Sequence, residues 1–443
     1  MKTLLTNCWI VAMDAAMTEY RPGWLLVEGD RIVGLGGGVP PQAEGADIRD
    51  LGGDIVMPGM INTHCHMAMS VFRGLGEDVD HRLFRYILPL ERKFVSASMV
   101  RTGSALSALE MIQGGVTTVA DMYYFETEVA DVIEVSGMRG IVGQTLADFA
   151  APDHTTFDEG FALCEDLVAH CAGKARLIAS IAPHAPYSTG LDVLERVAAW
   201  HDRNRDTRIQ IHLAETEPER AWARDTHDMT TVAVSEKAGV LRPGTIAAHC
   251  LLLEDADIEI LARSGTGVAH NARSNGKGGR GMARIDDMRR AGIPVGIATD
   301  GAMSGNTLDL FSQFGVVSIF AKILGHSRKP LPARDVVRMA TLEGARVLGL
   351  DEETGSLEVG KKADLISIST AAPRMQPIYD ACSTLVFAAM PDDVRDVMVD
   401  GRWLMEGRRV RTLDATTVLA DANAIAAEFR TEIAAIDAAR TGV

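Results

Sequence analysis

The sequence predicts an α/β protein, a TIM-type (β/α)8 barrel with a small β-sandwich domain built from both chain ends. The first observation is that short apolar runs alternate eight times with segments of helical spacing, which is typical of parallel β/α units. The second is length, because eight units in about 250–300 residues fit a closed barrel better than an open doubly wound sheet. The third is a hairpin pattern near each chain end, flanking the alternation.

The two end segments are predicted to form one domain. Residues 1–57 contain WLLVEGDRIVGLGGG, and residues 363–443 contain VRDVMVDGRWLMEGRRV. Both have apolar runs around Gly-Asp, Asp-Gly or Glu-Gly turns, as β-hairpins do. The Ala-rich segment TTVLADANAIAAEFRTEIAAIDAAR has helical spacing and predicts a closing helix. The barrel is expected over residues 58–362, inserted between the two parts.

The predicted barrel strands are rich in Val, Ile and Ala. In chain order they are IVMPGMINTH, VTTVADMYY, RGIVGQTLA, RLIASIAPH, RIQIHLAE, TIAAHC, GVAHNA and PVGIATD. Segments such as SMVRTGSALSALEMIQGG and LDVLERVAAWHDRN lie between them and predict helices. No GxGxxG motif follows a predicted strand and no P-loop occurs, so the sequence gives no support to a nucleotide-binding Rossmann fold.

Composition excludes several classes of partner. The net charge of −16 over 443 residues argues against binding to nucleic acid or to an anionic membrane surface. No uncharged apolar run reaches the roughly 18–20 residues that span a bilayer. The N-terminus does not have the pattern of a signal peptide, and six scattered cysteines do not suggest a disulfide framework. We therefore expect a soluble cytoplasmic protein.

Ionisable side chains occur at the ends of five predicted strands. The motif NTHCHM places His64 and His66 on one face of the first strand, because side chains alternate along a strand. The others are His184, His212, His249 and Asp300. A lone strand-end histidine is more often a hydrogen-bonded core residue than a ligand, but strand ends converge at one barrel mouth. Three imidazoles and a carboxylate, from His64, His66, His212 and Asp300, suit zinc or another borderline divalent ion.

Several motifs together resemble the amidohydrolase superfamily. They are VMPGMINTHCHM, IHLAETEPE, AAHC, IATDG and GSLEVGKKADLISI, and they span nearly the whole chain. The most similar branch contains atrazine/triazine hydrolases and methylthioadenosine/S-adenosylhomocysteine deaminases. The resemblance implies one metal ion, zinc before iron or manganese, held by His64, His66, His212 and Asp300. Relatives with two metals use a modified lysine at the end of strand four, whereas here Lys174 precedes that strand, which disfavours two metals.

The resemblance also implies catalytic roles. Glu215 in HLAETE corresponds to the proton shuttle, although a solvated loop acid is the ordinary alternative at such a position. His249 and Asp300 correspond to the groups that take the proton of the attacking water. A metal lowers the pKa of its bound water, and a nearby carboxyl relays the proton to the ring nitrogen of a cyclic amidine. We therefore expect an aminohydrolase that releases ammonia by attack of metal-bound hydroxide.

The substrate is less constrained. Glu91 matches a residue that contacts ribose in the adenosylhomocysteine deaminases, and His184 is expected to contact substrate rather than metal. Arg82 stands where those enzymes have Trp, and Gln144 stands where they have the Arg that binds the amino-acid carboxylate. These departures favour a small base such as an isocytosine-like aminopyrimidine. The alternatives are a methylthioadenosine, adenosylhomocysteine or adenosine-type deaminase, and a triazine hydrolase that expels chloride or an alkylamine.

The segment after strand seven also departs from the family pattern. It reads HNARSNGKGGRG, with glycines in place of bulky apolar residues and with Arg273, Lys277 and Arg280 as added positive charge. It is interpreted either as a contact for a polar or anionic substrate edge or as a flexible solvated loop. A homo-oligomer is expected only by analogy with relatives. A non-catalytic relative is disfavoured, since the full set of candidate catalytic residues is present.

Overall fold

The computed structural model describes residues 2–79, 81–149 and 151–441. The N-terminal segment forms five strands: β1 Lys2–Val11, β2 Glu19–Glu28, β3 Arg31–Gly37, β4 Asp47–Asp50 and β5 Ile55–Pro58. Strands β2 and β3 pair antiparallel, with Val27 opposite Ile32. The hairpin predicted in WLLVEGDRIVGLGGG is therefore confirmed.

Eight strands form the barrel sheet. They are β6 Met60–Cys65, β7 Val116–Tyr123, β8 Arg139–Leu146, β9 Leu177–Pro183, β10 Arg208–Leu213, β11 Thr245–His249, β12 Gly267–His270 and β13 Val295–Ile297. Neighbours in the chain are neighbours in the sheet and run parallel. Side chains on both faces are buried almost throughout, as in parallel sheets covered by helices.

The barrel is nearly closed between its first and last strands. The backbone N–H of Asp300 donates to the carbonyl of His64 at 3.2 Å. The Thr63 hydroxyl donates to the Ile297 carbonyl at 3.0 Å. These bonds lie at the mouth, where polar residues follow β6 and β13. The predicted (β/α)8 architecture and its eight strands are confirmed.

Helices cover the outside of the sheet. Those before the last β-segment are α1 Leu88–Phe94, α2 Ala97–Gln113, α3 Glu126–Ser136, α4 Phe157–Cys171, α5 Leu191–Arg203, α6 Glu217–His227, α7 Thr231–Lys237, α8 Asp255–Ser264, α9 Ala272–Lys277, α10 Ile285–Arg290, α11 Ala302–Gly305, α12 Leu310–Leu324, α13 Ala333–Met339 and α14 Leu342–Leu348. In α5 the buried side chains include Val193, Val197 and Trp200, at the spacing of one helical face. That face packs on the barrel, and the opposite face is solvated.

The C-terminal segment completes the first sheet. It contains β14 Leu365–Ile368, helix α15 Ala381–Phe387, β15 Val394–Val399, β16 Arg402–Glu406, β17 Arg409–Val410 and helix α16 Ala415–Thr441. Strand β14 pairs antiparallel with β5, which joins both chain ends in one nine-stranded sheet. The second hairpin pattern and the closing helix are confirmed.

Helix α16 packs against the segment that follows β6. The ring of Phe429 stacks on the ring of Phe72, with centroids 4.9 Å apart, and both rings are buried. Glu432 forms an ion pair with Lys93, and an Asp437 oxygen accepts from Arg85 at 2.6 Å. The last helix therefore covers the 3-10 turn Met67–Phe72, directly after the His-x-His motif.

The six cysteines are all buried and free of disulfide bonds within the described residues. This agrees with the expectation drawn from their spacing. In residues 2–79, 81–149 and 151–441, no helix has the length and apolar character needed to cross a membrane.

Candidate active site

Three imidazoles converge at the mouth of the barrel. His64 lies near the end of β6, His66 directly follows that strand, and His212 lies near the end of β10. Their potential ligand atoms all lie within 4.8 Å of one another. The ring centroids of His64 lie 4.8 Å from His66 and 4.9 Å from His212. The sequence-predicted histidine ligands are thus brought together.

Hydrogen bonds fix the tautomers of two of these rings. Nδ1 of His66 lies 2.6 Å from the Met122 carbonyl, and Nδ1 of His212 lies 2.7 Å from the His184 carbonyl. A carbonyl only accepts, so each Nδ1 carries the proton and each Nε2 presents a lone pair. Burial lowers the pKa of His212 to about 4 and that of His64 well below its usual range. The rings of His64 and His212 are therefore neutral at neutral pH, as binding to a metal requires.

The arrangement fits a cation. The Nε2 atoms of His66 and His212 lie 3.4 Å apart, and two lone pairs at that distance repel unless a positive charge lies between them. The buried Nε2 of His64 has no hydrogen-bond partner in the described part of the chain. Oδ1 of Asp300 lies 3.3 Å from Nε2 of His66. Three nitrogens and one carboxylate oxygen form a donor set suited to zinc.

Asp300 is held as a carboxylate. Ser274 donates to its Oδ2 at 2.6 Å, and the Gly301 N–H donates to its Oδ1 at 2.7 Å. Burial opposes ionisation, but the nearby His66, His249 and His64 outweigh it, so the pKa of Asp300 lies far below its usual value. The residue has φ 60°, a left-handed conformation that non-glycine residues rarely adopt outside constrained sites.

Glu215 and His249 face each other beside this cluster. Oε1 of Glu215 lies 3.7 Å from Nε2 of His249. Nδ1 of His249 lies 2.8 Å from Oδ1 of Asn275. Burial raises the pKa of Glu215, but His249 and Arg280 outweigh it and hold the pKa below its ordinary value. A carboxylate and an imidazole are thus positioned to exchange protons next to a candidate metal site.

The Glu219 carboxylate holds the backbone around Glu215. It accepts from the N–H groups of Ala214 at 2.7 Å and Glu215 at 2.8 Å, and it belongs to the capping box of α6 with Thr216. Ala214 has φ 51°, so the chain turns sharply at the end of β10. This turn directs Glu215 towards the mouth.

The family model that describes the amidohydrolase family matches residues 55–404, a span that includes the whole barrel sheet and every candidate described above. The chain belongs to the amidohydrolase family. It is accordingly a hydrolase that acts on non-peptide carbon–nitrogen bonds.

Similar proteins span the full length of this amidohydrolase. A 5-methylthioadenosine/S-adenosylhomocysteine deaminase of Syntrophobacter fumaroxidans is 36% identical over 423 residues, 94% of this chain and 95% of that protein. A 5'-deoxyadenosine deaminase of Methanosarcina barkeri is 36% identical over 97% of this chain and 99% of its own. The zinc-bound structure of an adenosine deaminase from Xanthomonas campestris has a TM-score of 0.92 at 30% identity, covering 97% of this chain and 98% of its own.

Two residues predicted to contact substrate lie beside the candidate metal ligands of the amidohydrolase. Glu91 accepts a hydrogen bond from the Tyr123 hydroxyl at 2.5 Å, and the Tyr123 ring lies 6.5 Å from that of His66. Burial raises the pKa of Glu91, more than the Tyr123 bond lowers it. The His184 ring lies 4.9 Å from the His212 ring. Both side chains therefore border the candidate metal site.

Aromatic rings flank His184. The Phe149 ring lies 5.2 Å from the His184 ring and the Tyr187 ring lies 6.0 Å from it, both edge-on. Phe149 and Tyr187 are 38% and 45% exposed, so they line the open side of the mouth. This rim offers an apolar surface next to the catalytic groups.

The other two residues predicted to contact substrate, Gln144 and Arg82, form hydrogen bonds with other side chains and with the backbone. Gln144 is buried and donates to Oδ2 of Asp153 at 3.0 Å. Arg82 donates to Glu77 at 3.2 Å and to the Met303 carbonyl at 3.0 Å. Asp153 also accepts from the Phe125 N–H at 2.7 Å. The Gln144 amide is therefore next to a carboxyl group.

Three functional candidates were not predicted from the sequence. Ser274 and Asn275 contact Asp300 and His249 from the segment after β12. His270 ends β12 and is fully buried, and burial lowers its pKa to about 3. The strand-end position of His270 in GVAHNA is a signal in the sequence, since it parallels His249 in IAAHC. The contacts of Ser274 and Asn275 are not recognisable without the fold, and neither is the contact of Arg280, which the sequence predicts only as added charge, with Glu215.

Proposed function

We propose that this amidohydrolase deaminates an adenosine-type nucleoside, replacing the exocyclic amine of the purine with oxygen from water and releasing ammonia. The observation that carries the proposal is the juxtaposition of Glu215 and His249 with a four-donor metal cluster. Such an arrangement suits hydrolysis at the carbon of a cyclic amidine, where a ring nitrogen must be protonated while water attacks. Relatives of similar length that are named as adenosine-type deaminases support the same chemistry.

His64, His66, His212 and Asp300 would hold one divalent ion, with zinc as the expected metal. When bound there, such an ion lowers the pKa of a coordinated water towards neutrality and so supplies hydroxide. The neutral state of the buried imidazoles supports this assignment, since histidine must be deprotonated to bind a metal. Iron and manganese remain alternative occupants that metal analysis would distinguish.

The protein groups move the protons. Glu215, whose pKa is held below its ordinary value, takes one proton from the attacking water and passes it to the ring nitrogen next to the reacting carbon. Asp300 and His249 lie where they can accept the other proton of that water. This second proton then passes to the exocyclic amine, which leaves as ammonia. The balance is one water consumed and one ammonia released, with the amidine N=C–NH2 converted to the amide HN–C=O.

Recognition of the nucleoside is assigned to the rim of the mouth. The partly buried carboxyl of Glu91 is suited to accept hydrogen bonds from ribose hydroxyls, and the His184 ring lies beside the candidate ligand His212. Where the resemblance to adenosylhomocysteine deaminases implies an arginine, this chain has the neutral amide of Gln144 next to the carboxyl group of Asp153. An acid there repels a carboxylate, so an uncharged 5′ substituent is expected, packed on Phe149 and Tyr187.

The preference for a small aminopyrimidine finds no support in these relatives. Their names refer to adenosine-type substrates, which fits the alternative raised from the sequence. The departures at Arg82 and Gln144 are therefore interpreted as determinants of the 5′ side of a nucleoside rather than as signs of a different ring.

Ammonia release from a substrate panel tests the proposal. Metal-replete protein would be assayed with 5′-deoxyadenosine, methylthioadenosine, adenosine, S-adenosylhomocysteine, isocytosine and an aminotriazine. We expect release from the uncharged nucleosides, with S-adenosylhomocysteine slower by about tenfold or more, since a factor of ten needs only 1.4 kcal/mol of repulsion. Faster release from S-adenosylhomocysteine would contradict the role of Asp153. Silence with every nucleoside would contradict the deaminase, and chelated protein serves as the blank.

Ser274→Ala should weaken the metal centre. Ser274 donates to the candidate ligand Asp300 at 2.6 Å, and loss of such an outer hydrogen bond typically costs about 10–100-fold in metal affinity or activity. The measurement is zinc affinity from competition with a chelating dye, together with turnover. Ser235→Ala is the matched control, because Ser235 is also buried but donates to Thr231 in α7. Equal affinities for the two variants would exclude the role of Ser274.

A further inference from the structure

A glycine-rich segment crosses the mouth with little backbone packing. This segment, here called the strap, is residues 276–281, GKGGRG, after β12. A Cβ placed at Gly276, Gly279 or Gly281 would meet no atom within 4 Å, and Gly279 and Gly281 have φ +66° and +91°. The strap backbone at these positions therefore lies in open space in a conformation that glycine adopts without strain.

Two side chains attach the strap to other loops of the mouth. Nζ of Lys277 lies 2.6 Å from a Glu77 oxygen and 3.0 Å from Oδ1 of Asn306. Nη1 of Arg280 forms an ion pair with Oε1 of Glu215. Glu77, Asn306 and Glu215 follow β6, β13 and β10 respectively. The strap is thus held over the mouth by cationic side chains rather than by an apolar core.

The ion pair of Arg280 involves the oxygen that the proposed reaction needs. Oε1 of Glu215 is the oxygen that lies 3.7 Å from Nε2 of His249, and it is also the oxygen that Arg280 contacts. A substrate ring nitrogen must come within hydrogen-bond distance of this carboxyl to receive its proton. Arg280 therefore lies on the functional side of Glu215, in the direction from which a substrate would approach.

The guanidinium group resembles the reacting part of the proposed substrate. It is planar and presents N–H donors in a fixed N–C–N arrangement. The 6-aminopurine edge is also a planar N–C–N unit, formed by the ring nitrogen and the exocyclic amine. The guanidinium offers two N–H donors, whereas the purine edge offers one donor on the amine and one acceptor on the ring nitrogen. Both edges are therefore shaped to meet the two oxygens of one carboxyl group, the purine edge when that group carries the proton to be transferred. The Arg280 side chain is 41% exposed, so it has a path into solvent.

We propose that Arg280 is an internal competitor of the substrate, whose guanidinium occupies Glu215 in the free enzyme and is displaced together with the strap when a cyclic amidine binds. The proposal rests on the proposed role of Glu215. It makes Arg280 a specificity-determining residue, because only a ligand whose planar amidine edge reaches Glu215 replaces the lost ion pair. A ligand that binds the rim without reaching Glu215 leaves the strap in place.

Arg280→Met tests the competition. The variant keeps a long side chain but removes the ion pair, so KM for 5′-deoxyadenosine should fall by about two- to fivefold, the range of a partly exposed ion pair. The Kd of the product 5′-deoxyinosine, measured by calorimetry on zinc-loaded protein, should fall by a similar factor. The reason is that displacement of Arg280 weakens the binding of any ligand at Glu215 and does not affect the chemical step. Arg290→Met is the control, since Arg290 is 74% exposed and pairs only with α10 groups. A KM and Kd that rise, or that match wild type, would overturn the proposal.

Hydrogen exchange of the strap provides a readout that needs no turnover. The N–H groups of Gly278, Gly279 and Arg280 donate to the carbonyls of Ser274, Gly276 and Asn275 respectively, which lie in the strap or just before it. Arg280→Met should speed their exchange in the free protein, and saturating 5′-deoxyinosine should speed it in wild type. Slower exchange on binding would mean that Arg280 stays and contacts the ligand, which overturns displacement. The two proposals can fail separately. If no nucleoside releases ammonia but Arg280→Met still speeds amide exchange in the strap, the deaminase proposal is wrong, whereas the ion pair of Arg280 with Glu215 is supported.

Discussion

Glu215→Gln should reduce ammonia release by about 10²–10⁴-fold, the usual contribution of a positioned general acid or base. Glutamine keeps the shape of the side chain and can still accept a hydrogen bond from Arg280, but it cannot deliver a proton to a ring nitrogen. Since Glu215 is not among the metal donors, zinc content should stay at the wild-type level. The measurements are initial rates with 5′-deoxyadenosine and metal content by elemental analysis.

Glu217→Gln is the matched control for this substitution. Glu217 begins α6 two residues later, is 64% exposed at its side chain and pairs with Arg220. It should keep the wild-type rate, because its carboxylate faces solvent away from His249. A Glu215→Gln variant with a near wild-type rate would exclude Glu215 as the proton carrier, whatever the substrate.

Asp300→Asn should be comparably severe, with a loss of about 10²–10⁴-fold from the proton role alone and a further loss from weaker metal binding. The substitution removes the negative charge that balances the cation among three imidazoles, and the Asn amide cannot accept the water proton. Zinc per chain should fall below the wild-type value at equal free zinc. Rates measured at saturating zinc separate the two causes.

A rate restored by zinc alone would assign Asp300 to metal binding and leave the proton to His249. A rate that stays low in the zinc-saturated variant would support both roles. Asp392→Asn is the control, because Asp392 is 91% exposed and pairs with Arg408 at the surface. Its rate and zinc content should equal those of wild type.

The barrel and the convergence of the candidate metal ligands were predictable because both follow from strand periodicity. A parallel strand covered on both faces reads as an apolar run, and each of the eight predicted runs contains a barrel strand. The IVMP part of the first run instead forms β5 in the other sheet. The two histidines of NTHCHM share a face because side chains alternate, and His212 and Asp300 converge on them because parallel strand ends meet at one edge of the barrel. These relations need only the local sequence and the order of strands.

The remaining contacts depend on how loops fold over the mouth. Ser274, Asn275 and Arg280 follow β12 in a short helix and a glycine-rich turn, where no apolar period fixes direction. The same holds for Gln144, whose partner Asp153 lies nine residues further along a loop. Side chains in such segments choose partners from other loops, and those partners are set by the tertiary structure.

The stacking of Phe429 on Phe72 has a consequence for how the protein is made. Helix α16 follows the whole barrel in the sequence, yet it covers the turn that directly follows His66. Asp300, which faces His64 and His66, also comes from the later part of the chain. During synthesis, His64 and His66 therefore exist long before the residues that surround them in the folded protein. We expect the candidate metal site to be complete only once Asp300 and α16 have been synthesised and packed.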